Sequence, residues 1–339
     1  MTTSRERVIR TLNHQPVDRA PRDLWTSAAA TRAQRDEIDD LLLRFPRDIV
    51  APESAAGRGP PSPHDSGENG EYADPWGCVW RPAASPAGWE LVLSPLSGDW
   101  SGFRPPAELL DRFDRDQVNR HAAGSSQFVL AVSGVRPFER LAWLRGTEAA
   151  LADIARGDGR GRKVLGLLHE FFSSEIELWA STGVDGVAFG DGWPGGDWSA
   201  LSATRWRQVL KPLYRDYCRI LHAADKFVFF RCAGRIEGIV DDLVEIGVDA
   251  VHARVNPESF SRLAEELRGR LTLWTGLTDP TVLSQGGPND VRLAVDRLRR
   301  ALDFGRGGLI AQCDWQASVP WRNVAALFDR WQQPMLAHA

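Results

Sequence analysis

Two thiols, two guanidiniums, an imidazole and several carboxylates fall at or just past the ends of apolar segments in this chain. Arg231 and Cys232 close "KFVFFRC" (226–232), and His252 and Arg254 alternate along "DAVHARV" (249–255). Asp191 ends "GVAFGD" (186–191), Cys313 and Asp314 end "GLIAQC" (308–313) and the residue after it, and Trp25 ends "APRDLW" (20–25). Paired guanidiniums suit a carboxylate or phosphate, because their planar forks bind such groups bidentately. The competing use of Arg231 and Arg254 is an internal ion pair with Asp191 or Asp314. A cysteine acts as nucleophile or metal ligand only as thiolate, which needs a metal or nearby positive charge. Arg231 could supply that charge. Otherwise Cys232 and Cys313 are small buried hydrophobes. Asp191, inside "FGDGWPGG", is either an acid–base or ligand group or a turn and helix cap. His252 points the same way as Arg254 and lies deeper, where it would orient a neighbour. Trp25 and Trp193 offer faces on which a planar substrate could stack.

These residues are far apart in the sequence, so the elements must bring them together. Short apolar or β-branched segments followed by amphipathic stretches recur along the chain. Strands are expected at 20–25, 47–52, 128–133, 186–191, 226–232, 249–255, 271–276 and 308–313. Helical patterns lie between them, as in "RWRQVLKPLYRDYCRILHAA", "IEGIVDDLVEIG", "PESFSRLAEELRG" and "PNDVRLAVDRLRRALDFG". Eight strands alternating with helices is the count of a (β/α)8 TIM barrel, whose chemistry sits at the C-terminal strand ends. On that basis Glu53, Ser133 and Asp279 also belong to the mouth. An open doubly wound sheet is the alternative, but the chain has no dinucleotide fingerprint. "GDGRGRK" (157–163) reads as a solvated loop, and His222, on the helix before the fifth strand, as structural. Residues 53–125 interrupt the alternation after strand two. They begin Pro/Gly-rich and continue as an expected hairpin or meander, read as a lid over the mouth. The whole of 1–339 is taken as one domain carrying that insertion.

Composition sets outer bounds. The formal charge of −4 gives no bulk attraction for nucleic acid or an anionic membrane. The four cysteines, Cys78, Cys218, Cys232 and Cys313, form no C-x-x-C pair, which argues against a zinc ribbon or a disulfide scaffold. No signal-peptide core or membrane-length apolar run is visible, so a cytoplasmic protein is expected.

Several stretches together resemble the uroporphyrinogen decarboxylase superfamily, which includes zinc-dependent methyltransferases acting on methylated corrinoid proteins. They are "TSRERVIRTLNHQPVDRAPRD", "DPWGCVW", "RPFERLAWLRGTEAALADIA", "VDGVAFGDGW", "LKPLYRDYCRILHAADKFVFF", "LVEIGVDAV" and "GGLIAQCDWQASVPWRNVAALFDRW", in family order over nearly the whole chain. The resemblance implies a (β/α)8 barrel, closer to the methyltransferase branch than to the true decarboxylases. The substrate-gripping "Gln-Ala-Gly-Arg-Tyr" of the latter is replaced here by "RAPRDLWTSAAATRAQ". The methyltransferase branch holds zinc through His-x-Cys-Gly after strand five and a Cys after strand eight. Aligning Gly234 puts Arg231 at the His and Ala233 at the Cys; Cys232 is one position off, while Cys313 matches the last ligand. A zinc site on Cys313 and Cys232 therefore stays open. The family's "Asp-Asp-Trp" after strand four is Asp191-Gly192-Trp193 here. The first expectation is methyl transfer on an anionic or aromatic substrate, with Cys232 or Cys313 helping to activate a thiol acceptor. The alternatives are cofactor-free decarboxylation of a carboxylated aromatic or pyrrole-like substrate, with Asp191, Arg231 and Arg254 as its groups, and a non-catalytic ligand-binding barrel. A corrinoid protein and a second copy of the chain are the partners the resemblance implies.

Overall fold

The computed structural model describes residues 2–52, 70–83, 89–98, 102–157, 159–192, 202–232, 234–253, 255, 260–277, 279–302 and 306–333. Each apolar segment named above forms a strand, at β1 (Arg22–Thr26), β2 (Ile49–Val50), β6 (Phe128–Val132), β7 (Gly186–Asp191), β8 (Phe227–Cys232), β9 (Ala250–His252), β10 (Thr272–Thr275) and β11 (Leu309–Trp315). Between β2 and β6 lie β3 (Tyr72–Ala73), β4 (Val79–Pro82) and β5 (Trp89–Leu93). The eight first-named strands make one parallel sheet in the order β1-β11-β10-β9-β8-β7-β6-β2. Asp48 N–H donates to the Arg22 carbonyl at 2.9 Å and so draws β2 against β1. The result is a nearly closed (β/α)8 barrel.

These strands read as near-continuous apolar runs because both their faces are covered. Their inward residues, among them Phe128, Leu130, Phe229, Trp274 and Ile310, form a core of their own. The helix Ser4–Leu12 closes the N-terminal end of that core with Val8 and Leu12. It starts at a capping box in which the Thr3 hydroxyl accepts from Glu6 N–H and Glu6 reaches back. Outward residues pack against the surrounding helices in a second, larger core.

One expectation changes. "GDGRGRK" is not a loop: a helix of 22 residues, Gly159–Ala180, begins within it. The preceding helix, Thr147–Arg156, ends on Gly157 in the left-handed conformation at φ 65°, and the next starts two residues later. Glycine permits that abrupt turn at no steric cost. Within 53–125 the described residues include two helices and a small sheet. Helix Arg115–Gly124, which buries Val118 and Ala122, is the ordinary crossover into β6. Strands β3, β4 and β5 form the expected antiparallel meander. It docks on the barrel's side through Trp76 against Phe171 and Trp80 against Trp143, with Asp74 paired to the buried Arg140 at 3.3 Å. None of its described residues lines a cavity at the mouth. Residues 53–69, where most of the Pro/Gly-rich stretch and Glu53 fall, lie outside the described residues.

Candidate active site at the C-terminal strand ends

Side chains alternate along a strand, so one register decides which groups enter the barrel. Arg231 pairs with His252 across β8 and β9, and Trp25 with Asp314 across β1 and β11. All four line a cavity of about 320 Å³ at the mouth, together with Arg136 and Glu139. The Arg231 guanidinium lies 4.5 Å over the Trp25 ring. His252 stacks on Trp25 at 4.9 Å and meets Trp274 edge-on at 5.7 Å. Gly190 makes this arrangement sterically possible: a Cβ there would stand 2.3 Å from the Arg231 carbonyl oxygen and 2.9 Å from its Cβ.

The electrostatics follow from burial. Desolvation, reinforced by the neighbouring Arg231 charge, pulls His252 down to about 4, so its imidazole is neutral at pH 7. Desolvation also lowers Arg231, as does Arg136. Arg231 Nε is buried without a hydrogen-bond partner, and no salt bridge joins Arg231 to another described residue. Asp314 stands exposed at the rim, where partial desolvation raises its pKa; Gln316 Nε2 donates to it at 2.7 Å. Arg136 donates to Glu139 at 3.0 Å, keeping one cation of the cavity neutralised.

Asp191, Cys232 and Cys313 point to the other face of the sheet, although Cys232 still borders this cavity and Cys313 an adjoining one. Asp191 borders the cavity, but its carboxylate turns outward. It accepts from Phe138 N–H at 2.8 Å, Glu139 N–H at 2.7 Å and the Tyr214 hydroxyl at 2.5 Å. Burial raises it to about 7 despite those donors. It caps the helix Pro137–Arg145 from a neighbouring strand. Cys232 follows the inward Arg231 and so points to the helix layer, where its Sγ accepts from Gly234 N–H at 3.4 Å. Cys313, on β11, belongs to the same outer core, and burial holds its thiol well above the ordinary range. Strands β9 and β10 separate the two thiols in the sheet. Among the described residues no three His, Cys, Asp or Glu side chains assemble a metal site. The zinc set on Cys232 and Cys313 does not fit these residues, because two strands stand between the thiols and no third described ligand joins them.

Other expected members have other roles or places. Ser133 borders the cavity and donates to the Ala188 carbonyl at 3.0 Å. Asp279 caps helix Pro280–Gln285 through Thr281 N–H. His222 pairs with Asp249 at 3.1 Å, as a structural residue would. Trp193 and Arg254 lie outside the described residues.

Three participants had no individual signal in the sequence. Asp23 lies fully buried beneath the cavity, and its Oδ2 accepts from Trp25 Nε1 at 2.8 Å and Trp274 Nε1 at 2.9 Å. Burial raises it to about 6. Counting back two residues from Trp25 would have found it. Arg136 and Glu139 sit in "RPFER", just past β6, and were legible only as part of a longer motif.

The comparisons with known proteins agree with this architecture. Residues 122–333 match the family described as uroporphyrinogen decarboxylase (URO-D). The chain belongs to that family. A methyltransferase from Methanosarcina mazei superposes over 98% of this chain and 98% of its own at a TM-score of 0.69 and 16% identity. At that identity the likeness is one of fold, and it extends over the whole chain. An intracellular xylanase from Thermoanaerobacterium saccharolyticum, with bound xylotriose, aligns over 89% of this chain and 86% of its own at 11% identity; its TM-score of 0.37 carries no argument. No curated protein matches the chain. The family's barrel is thus present, with an arginine, a neutral histidine and aromatic faces at its mouth and two buried cysteines at the cavity walls.

Proposed function

We propose that the chain is a URO-D-family enzyme that binds a small aromatic polycarboxylate at the barrel mouth and releases one carboxylate as carbon dioxide. The observation that carries this is Arg231, a partly buried guanidinium over Trp25 whose buried Nε has no hydrogen-bond partner among the described residues. An unpaired buried charge is costly, and an arriving anion relieves that cost. A planar guanidinium takes a carboxylate edge-on through two parallel bonds, while the substrate ring meets Trp25 and His252. Neutral His252 adds no repulsion to Arg231 and keeps one acceptor and one donor nitrogen.

Arg231 holds a carboxylate that stays, since gripping the departing one would oppose its loss as a neutral gas. Asp314, raised by desolvation yet open to solvent, delivers a proton to the ring carbon bearing the second carboxylate. The bond to that carboxylate then breaks, its electron pair returns to the ring, and carbon dioxide leaves. Asp314 recovers its proton from water at the rim. Glu139 faces the same cavity and stabilises the positive charge that develops on the ring.

Methyl transfer to a thiol, the first expectation from the sequence and the activity in the Methanosarcina protein's name, requires an activated thiolate. The strand-end cysteines are buried, and burial raises the Cys313 thiol, so the support for methyl transfer is the shared barrel.

The test is release of labelled carbon dioxide from benzene and pyrrole polycarboxylic acids carrying 13C in the carboxyl groups. Arg231→Gln is expected to raise KM by about tenfold or more, the loss of a charge-assisted bidentate contact. Asp314→Asn is expected to lower kcat by about a hundredfold with KM little changed. Turnover undiminished in both variants, or acids binding no better than their amides, would remove the proposal.

A further inference from the structure

Beside the charged cavity lies a second one of about 430 Å³, over the tips of β9, β10 and β11. The two share His252 and Asp314 in their walls and so adjoin. Their chemistry differs. The second is walled by Val255, Leu277, Leu283 and Leu327, and none of its described lining residues is cationic at neutral pH. Its polar feature is Gln312, which is 2% exposed yet lines the cavity. Gln312 Nε2 is buried and has no hydrogen-bond partner. A buried amide donor left unpaired is destabilising, and a ligand acceptor placed there would recover part of that cost. Gly276 keeps the amide in place: a Cβ at that position would stand 3.1 Å from both the Gln312 backbone oxygen and its Oε1.

We infer that this second chamber is a substrate subsite for an apolar arm carrying a carbonyl-type acceptor. The ligand would then be amphiphilic, with an anionic ring on Arg231 and Trp25 and an acyl-like arm passing between His252 and Asp314 to Gln312. The inference rests on the carboxylate assignment for the first cavity, and the two can fail separately.

Four probes distinguish the outcomes by calorimetric titration: benzoate, 4-butylbenzoate, 4-butyrylbenzoate and neutral butyrophenone. The butyl acid should bind about tenfold or more tighter than benzoate, from burial of its methylenes. The butyryl acid should gain about fivefold more, the worth of one hydrogen bond. In Gln312→Leu the butyryl-to-butyl affinity ratio should fall to one. In Gly276→Ala the arm's advantage over benzoate should shrink, with thermal unfolding confirming that each variant folds. Three acids of equal affinity in the wild-type protein, or an unchanged butyryl-to-butyl ratio in Gln312→Leu, would overturn the subsite and leave the carboxylate site standing. Butyrophenone binding as well as the butyryl acid, and weakened by Gly276→Ala, would keep the subsite and overturn the carboxylate site. Absence of binding by all four would overturn both.

Discussion

Arg231 and Cys232 are neighbours in sequence and occupy different parts of the molecule. One enters the barrel and lies on an indole; the other turns towards the helix layer and only borders the cavity. That separation underlies the proposal of an anion site at the strand ends instead of a thiolate site. Beneath it, Asp23 fixes Trp25 and Trp274 by accepting both indole N–H groups, and so fixes the surface on which Arg231 rests. Asp23→Ala would leave two indole donors unpaired, at about 1–3 kcal/mol for each that stays buried. The urea midpoint should drop with unchanged m-value, and benzoate affinity should fall as Trp25 loses its anchor. Asp23→Asn keeps an acceptor oxygen and should lose less on both measures. Equal behaviour of the alanine variant and the wild-type protein would mean that the indoles are positioned by packing alone.

At the scale of elements, Asp191 joins a strand to a helix. Its carboxylate takes the first free N–H groups of helix Pro137–Arg145, the helix that carries Glu139 into the cavity and begins beside Arg136. Because burial raises Asp191 to about 7, the folded state keeps a proton that the unfolded chain releases near pH 4. The proton-linked stability from this group is complete below pH 4 and is lost as pH rises towards 7, on the order of a few kcal/mol. His252 acts in the opposite direction. With its pKa lowered to about 4, the unfolded chain takes up the extra proton, and stability falls as pH drops below about 6.5. The difference between wild type and Asp191→Asn cancels the histidine contribution. Urea midpoints should show the wild type's advantage largest at about pH 4, declining from pH 5 upward and lost by pH 8. A difference that grows with pH would mean that the folded carboxylate is ionised throughout.

For the whole molecule, the seam between β1 and β2 is where an eight-stranded sheet becomes a barrel. Asp48, wholly buried, accepts from Arg7 at 2.6 Å, from Arg19 at 2.6 Å and from Arg22 N–H at 2.7 Å. Asp48→Ala would leave Arg19 and the buried Arg22 without this counter-charge and Arg7 with Asp18 alone, at about 3–5 kcal/mol. The expected result is a large fall in thermal midpoint, with opening of the seam seen as faster amide exchange at Ile49 and Val50. Exchange rates matching the wild type would place the closing energy elsewhere.

The sequence by itself determined the barrel. Strands buried on both faces must be apolar throughout, so all eight could be located to within a few residues, and the general rule for such barrels placed the chemistry at their C-terminal ends. It also located Trp25, Arg231, His252 and Asp314 near the mouth, because polar residues ending such runs are conspicuous. Tertiary structure alone decided which way each group faces. Asp191 and the two cysteines looked equally placed in sequence, but alternation makes a single residue the difference between interior and exterior. It alone also revealed the pairing of Asp23 with two distant tryptophans and the unsatisfied amide of Gln312. A buried donor without a partner is defined by its surroundings, and those come from strands hundreds of residues apart.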